Sequence, residues 1–269
     1  MPREITAHAN ATIKHVRSLR DKKTRRATGR FLAEGLRVLT EAAGEGRSPR
    51  ILLFTPETAR HPLAADLIAR TEAAGGDAAE VTPEIMEKTT GKSNAGQALG
   101  VYDVPATDLA SLDRGKADLW LVAQALRDPG NIGTILRTGD AVGAGGLILL
   151  DDSADPFSVE AVRASMGAVF TQAVAIADWA EFLPWLRSGP GELAGLTLAE
   201  DSRDYQEPRY PRPCFILVGN EQAGLPASYA EACDLRVKIP MQGQADSLNA
   251  AVATAVMAYE VLNQWRRAD

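Results

Sequence analysis

Cysteine is nearly missing from this chain: Cys214 and Cys233 are the only two. They form no Cys-x-x-Cys pair and no histidine lies near either, so neither a disulfide framework nor a zinc site has support, and both read as ordinary buried thiols. Histidine is almost as scarce, with His8, His15 and His61 all in the N-terminal part. Long apolar runs are lacking as well, which excludes a membrane span, and Met1-Pro2-Arg3-Glu4 has no apolar core of a signal peptide. A cytoplasmic protein is therefore expected. No internal repeat or low-complexity tract stands out.

Positive charge is short overall, since the formal net charge is −6. Its distribution reverses that impression. Residues 1–50 hold 12 Lys and Arg against 5 Asp and Glu, a net +7, which leaves a net −13 for residues 51–269. Such asymmetry points to one basic face on an otherwise acidic protein. Lys14, Arg17, Arg20, Lys22, Lys23, Arg25, Arg26 and Arg30 are interleaved with Ile13, Val16 and Leu19, whose spacing of three suits one side of a helix. The face is either a solvated helix surface or a sequence-independent, salt-sensitive contact with nucleic-acid phosphates.

What is plentiful is apolar sequence: 45% of 269 residues, enough to bury one large core or two ordinary ones. Ile51–Phe54 reads as a buried strand, 57–74 as a helix ending at Gly75-Gly76, Thr82-Pro83-Glu84 as a helix start, and 99–102 as a strand closing a small α/β unit. Residues 1–105 form the expected N-terminal domain, 106–117 a linker and 118–269 the C-terminal domain. From Leu119 strands and helices alternate, the pattern of a parallel sheet covered by helices. Strands are predicted at 119–123, 147–150, 169–176, 193–198, 215–219 and 235–239. Helices are predicted at 131–141, 159–166 and 247–266. Leu248, Val252, Ala255, Tyr259 and Leu262 make an apolar stripe on the last helix that suits a core or a dimer face.

Three stretches follow strands and carry chemistry-bearing side chains. The first is Asp128-Pro129-Gly130-Asn131-Ile132-Gly133-Thr134-Ile135-Leu136-Arg137, whose Asn131 and Arg137 can face one crevice only if the chain bends at Gly130 and Gly133. The second, Gly219-Asn220-Glu221-Gln222-Ala223-Gly224, contains one acid, Glu221. The third runs from Ile239-Pro240-Met241 to Ser247-Leu248-Asn249, with Ser247 placed to cap the final helix.

In this order the three stretches resemble the motif set of the SpoU family of S-adenosylmethionine-dependent RNA ribose 2'-O-methyltransferases. Val162-Arg163-Ala164-Ser165-Met166-Gly167 is similar to the segment between the family's first two motifs, and Phe31–Gly35 resembles the start of its ribosomal-protein-like RNA-binding domain. The pattern departs from the family at Gly139-Asp140, where small or apolar residues are expected. The resemblance implies an α/β fold: a C-terminal parallel-sheet domain with a deep trefoil knot, an exception to the usual absence of knots, and a smaller N-terminal α/β domain. It implies S-adenosylmethionine as methyl donor without a metal, held by Gly219, Ile239, Met241, Ser247 and Leu248. Arg137 would act at the ribose, with Asn131, Glu221 and Asn249 orienting donor, substrate or arginine. Structured RNA would be held by Lys14, Arg17, Arg20, Lys22, Lys23, Arg25, Arg26 and Arg163. Ribosomal RNA is the first expectation and transfer RNA the second, with a homodimer formed through the knotted domain.

Two other classes compete. A nucleotide-binding oxidoreductase is suggested by Gly143, Gly145 and Gly146, but these precede a strand and lack the Gly-x-Gly-x-x-Gly spacing. A non-catalytic RNA-binding protein with a decayed donor pocket is opposed by the presence of Asn131, Arg137, Glu221, Ser247 and Asn249.

Overall fold

The computed structural model describes residues 2–91 and 98–268. It divides into two compact units, Met1–Pro105 with Phe157–Phe170, and Ala106–Pro156 with Thr171–Asp269.

The first unit runs β1 (Arg3–Ile5), α1 (Ala11–Ser18), α2 (Lys22–Thr28), β2 (Arg30–Glu34), α3 (Leu36–Gly44), β3 (Ile51–Phe54), α4 (Pro56–Ala59), α5 (Pro62–Ala73), β4 (Asp77–Val81), α6 (Pro83–Thr90) and β5 (Ala98–Asp103). Its strands lie in the order β1-β4-β3-β5-β2. β1, β4 and β3 are parallel, and β5 is antiparallel to both β3 and β2. Local chemistry sets the helix starts. Asn10 accepts from the Thr12 amide at 2.8 Å, and Thr82 from the Ile85 amide at 3.3 Å with Pro83 in the first turn. The single helix expected over 57–74 is two helices, because Pro62 holds His61 in an extended conformation.

On one side of this sheet Ile13, Val16 and Leu19 pack with Leu53, Leu99, Val101 and Ile85. The segment 157–170 belongs to this unit although it lies far along the chain. Phe31 sits with its ring centroid 5.1 Å from Phe157 and 5.8 Å from Phe170, Tyr102 lies 4.7 Å from Phe170, and Val159 packs on the core cluster. Such aromatic pairs contribute about 0.5–1.5 kcal/mol each beyond the area they bury.

The second unit begins with β6 (Leu119–Gln124), α7 (Pro129–Val142) and β7 (Gly146–Leu150). After α8 (Val159–Ala164), which lies in the segment just described, come β8 (Ala173–Ala177), α9 (Trp179–Arg187), β9 (Glu192–Leu196), β10 (Arg203–Asp204), β11 (Cys214–Val218), α10 (Ala227–Glu231), β12 (Leu235–Lys238) and α11 (Ala250–Ala268). The order is β10-β12-β9-β11-β6-β7-β8, with every pair parallel. β7 and β11 are buried along their whole length, as strands covered on both faces must be. Cys214 and Cys233 are buried here, and burial raises both thiols to about 12. From β6 the chain builds outward through β7 and β8, then returns to the other side of β6. The reversal falls between β6 and β11, the place where open parallel sheets hold ligands at their carboxyl ends.

Several sequence expectations are corrected. Residues 106–117, expected as a linker, fold with the second unit: the Thr107 carbonyl accepts from the Ile176 amide at 2.7 Å, and the Arg114 guanidinium donates to the carbonyls of Trp185, Leu186 and Pro190. The strand expected over 169–176 is a short turn at Ala168–Phe170 followed by β8. The last helix starts at Ala250, outside Ser247. Its core-facing residues are Ala251, Thr254, Met257, Ala258 and Val261, whereas Val252 and Tyr259 of the expected stripe are about half exposed. Gly139-Asp140 has a packing reason. A Cβ at Gly139 would come within 2.9 Å of Gln172 and 3.3 Å of Leu121, and Asp140 accepts from the Thr171 hydroxyl at 2.6 Å.

Candidate functional site

The loop after β6 enters α7 through Asp128, whose carboxylate accepts from the Gly130 amide at 2.7 Å, with Pro129 in the first turn. Helix starts leave amides without internal partners. Glu221, on the loop after neighbouring β11, fills that role. It accepts from the backbone amides of Arg127 at 3.2 Å and Asp128 at 3.3 Å and from the Asn131 side-chain amide at 3.0 Å. Burial pushes the Glu221 carboxyl upward, but the bond from Asn131 and those from the backbone amides of Glu221, Arg127 and Asp128 outweigh it and hold the group below the usual carboxylate range. The start of α7 also favours the negative charge.

Asn131 is itself 7% exposed, and its carbonyl oxygen accepts from the Asn249 side-chain amide at 2.9 Å. The Asn249 oxygen in turn accepts from the amides of Ala251 at 2.9 Å and Val252 at 3.3 Å. Asn249, and not Ser247, is thus the cap of α11. One continuous chain of bonds, Asn249 to Asn131 to Glu221, ties together the three loops that follow β12, β6 and β11.

Beside this chain lies a cavity of about 490 Å³ between the loops 219–225 and 239–248, within the range of about 300–1,000 Å³ usual for small-molecule sites. Gly219, Ile239, Met241, Ser247 and Leu248 all line it, and so does Glu221. Gly219 admits no side chain, since a Cβ there would stand 2.3 Å from the Gly224 carbonyl carbon. The loop therefore folds back on the strand end and leaves its backbone facing the space. Leu196 and Leu198 form part of the wall. Sequence reasoning passed over them because they read as the end of an apolar strand, 193–198, without any motif. It also passed over Asn220, whose amide donates to the Ala125 carbonyl at 2.7 Å and whose oxygen accepts from the Gln222 and Ala223 amides at 3.0 Å each. Asn at the head of a glycine turn was the available signal.

Arg137 does not converge with Asn131. Both lie in one uninterrupted helix, six residues apart, so they are separated by about 9 Å of rise and point to different sides. Asn131 is buried, Arg137 is exposed and is not among the residues lining the cavity. The bend expected at Gly130 and Gly133 does not occur.

In the first unit Lys14, Arg17, Lys23 and Arg26 are exposed, as is Arg163 on α8, and Lys22 is half-buried. Arg25 does not belong to this face. It is 5% exposed, and its guanidinium donates to the carbonyls of Leu19 at 2.9 Å and Arg20 at 2.7 Å beyond the end of α1. Arg20 is partly committed too, donating to the Thr90 carbonyl at 2.6 Å and pairing with Glu34. Among the described residues no group of three or more His, Cys, Asp or Glu is set to hold a metal ion, and no helix is long and apolar enough to cross a membrane.

Built in this way, the second unit falls among the α/β enzymes that take ligands at the carboxyl ends of parallel strands. Residues 118–259 match the SpoU rRNA Methylase family and residues 10–100 the MRM3-like substrate binding domain, and the chain belongs to the SpoU family of methyltransferases. It is 32% identical to a 23S rRNA uridine 2'-O-methyltransferase of Streptomyces viridochromogenes over 91% of this chain and 86% of that one. It is 30% identical to the 23S rRNA guanosine 2'-O-methyltransferase RlmP of Bacillus subtilis over 96% and 99%. The crystal structure of an AdoMet-bound rRNA methyltransferase from Sinorhizobium meliloti superposes with a TM-score of 0.90 at 35% identity, covering 97% of each chain.

Proposed function

We propose that the protein is an S-adenosylmethionine-dependent ribose 2'-O-methyltransferase acting on large-subunit ribosomal RNA. The observation that carries this reading is the cavity: Gly219, Ile239, Met241, Ser247 and Leu248, drawn from two separate loops, all line it, and the rim is tied by Asn131, Glu221 and Asn249. The backbone bared at Gly219 suits recognition of an adenine edge by main-chain N–H and C=O groups. The relatives' names supply the substrate class, and the AdoMet-bound neighbour supports the donor.

Bound S-adenosylmethionine supplies a methyl group on a sulfonium, open to attack by the ribose 2'-hydroxyl. The chain's own part is placement. Gly219, Ile239 and Leu248 hold the donor through their main chain, with Met241 and Ser247 beside it. Asn131, Glu221 and Asn249 keep the three loops in register. Arg137, exposed and without a hydrogen-bond or ion-pair partner among the described residues, serves as a clamp on the ribose and its neighbouring phosphate and stabilises charge developing on the 2'-oxygen. Its guanidinium keeps its proton at ordinary pH, so the proton passes to water or to a phosphate oxygen.

The same reading includes a trefoil knot in the second unit, a cytoplasmic location and a homodimer. The dimer is supported by Val252 and Tyr259, about half exposed on α11. Mass-spectrometric mapping of 2'-O-methyl marks, in cells with and without the protein, tests the function. Loss of a mark in large-subunit RNA is expected. A loss confined to transfer RNA would move the substrate, and unchanged marks in both RNAs would sink the proposal.

A further inference from the structure

In the first unit a second, open hollow of about 470 Å³ is lined by Lys14, Arg17, Ser18, Arg20, Lys88, Thr89 and Gly91. Two helices build it. Lys14 and Arg17 are three apart on α1 and share one exposed side of it, next to the buried Ile13 and Val16. Lys88 stands in the last turn of α6, whose end is closed by Gly91 in a left-handed conformation. Arg20 fixes the wall between them through its bonds to the carbonyls of Thr89 at 3.3 Å and Thr90 at 2.6 Å, and Glu34 offsets its charge at 3.4 Å.

Lys14 and Arg17 have no such compensation, and Lys88 has only the more distant carboxylate of Glu84. Among the described residues Lys14, Arg17 and Lys88 make no ion pair within 4.0 Å. Lys88 approaches only the His8 ring at 3.5 Å, with Glu84 one turn earlier on α6 as its electrostatic neighbour. Like charges gathered in one hollow repel each other, and an anion relieves that repulsion.

The lining also indicates which anion. Neither hydroxyl offers its proton, since Ser18 donates to the His15 carbonyl at 2.7 Å and Thr89 to the Ile85 carbonyl at 2.6 Å. No apolar side chain lines the space, so there is no seat for the hydrophobic anchor of a peptide. The hollow presents ammonium and guanidinium donors and no free hydroxyl, which is how a backbone phosphate is held independently of sequence. We infer that it seats a backbone phosphate of the substrate RNA, with Lys88 as a contact that the basic N-terminal run does not contain. The inference rests on the RNA methyltransferase reading above.

The test is the salt dependence of binding to deproteinised large-subunit ribosomal RNA between about 50 and 200 mM salt. For Lys14→Gln/Lys88→Gln the slope of log affinity against log salt should fall by about one and the affinity at the low-salt end by about three- to tenfold. Calorimetric binding of S-adenosylmethionine should stay as in the unaltered chain, and Arg60→Gln, an exposed arginine outside the hollow, should keep the full slope. An unchanged slope in the double variant, while the unaltered chain binds RNA, would overturn the inference and leave the enzymatic reading intact. A chain that binds S-adenosylmethionine but no RNA would remove both. Binding of polyglutamate at RNA-like affinity would overturn it in favour of a protein partner.

Discussion

Asn249 donates its side-chain amide to the Asn131 carbonyl oxygen at 2.9 Å, across 118 positions of sequence, while its own oxygen caps α11. One side chain thereby starts the last helix and braces the first motif. Each half of this arrangement depends on the other, because a rotated Asn249 can satisfy only one of them.

Replacing either residue is therefore expected to cost more than a surface change. Asn249→Ala removes a helix cap, about 0.5–2 kcal/mol, and strands the Asn131 oxygen. The double variant with Asn131→Ala should fall short of the sum of the two singles by about 0.5–3 kcal/mol in urea unfolding. Additive losses would mean that the bond carries no coupling.

Arg137→Ala should leave S-adenosylmethionine affinity unchanged in calorimetry, since Arg137 does not line the cavity. It should lower kcat by about 10²–10³-fold. A collapse of donor affinity would place the residue in the donor site instead.

Gly219→Ala is expected to act in the opposite direction. The added methyl meets the Gly224 carbonyl carbon at 2.3 Å, so the loop must move, at a cost of about 1–3 kcal/mol in stability. Donor affinity should weaken by about tenfold or more, equivalent to about 1.4 kcal/mol. Unaltered calorimetry would show that the loop's approach to the strand is not needed for binding.

Arg25 and Arg26 should separate fold from binding. Arg25→Ala leaves the carbonyls of Leu19 and Arg20 without that donor, and the unfolding free energy should drop by about 1–3 kcal/mol. Arg26→Ala should change stability by no more than about 0.5 kcal/mol and instead lower the salt slope of RNA binding by about one. The same two measurements on both variants decide the matter.

Much of the second unit was legible because strand, turn and helix signals are local. Asp128-Pro129 announces α7, and the apolar runs of β6, β7 and β11 announce a sheet covered on both faces. What escaped depends on how the elements pack against each other. Arg25 and Arg26 are chemically alike, and only the packing of α2 against the end of α1 buries one and exposes the other. The period of α11 was readable, but in an alanine-rich helix the core phase was not: Val252 and Tyr259 of the stripe are exposed, Leu248, Ala255 and Leu262 half-buried, and the core takes Ala251, Thr254, Met257, Ala258 and Val261. Glu221 serves as partner to the start of α7 only because β6 and β11 are adjacent, a fact of topology that neither loop encodes. Ser247 was the expected cap of α11, and the structure gives that place to Asn249, whose amide also reaches Asn131.

The aromatic seat formed by Phe31 and Tyr102 has a consequence for the order of synthesis. Its covering residues, Phe157 and Phe170, are made last. At about 5–20 residues per second, a nascent first unit that has reached Pro105 waits roughly 3–13 seconds for Phe170, with two large aromatic rings uncovered. No single scission frees that unit whole, because its two pieces, Met1–Pro105 and Phe157–Phe170, are separated in the chain.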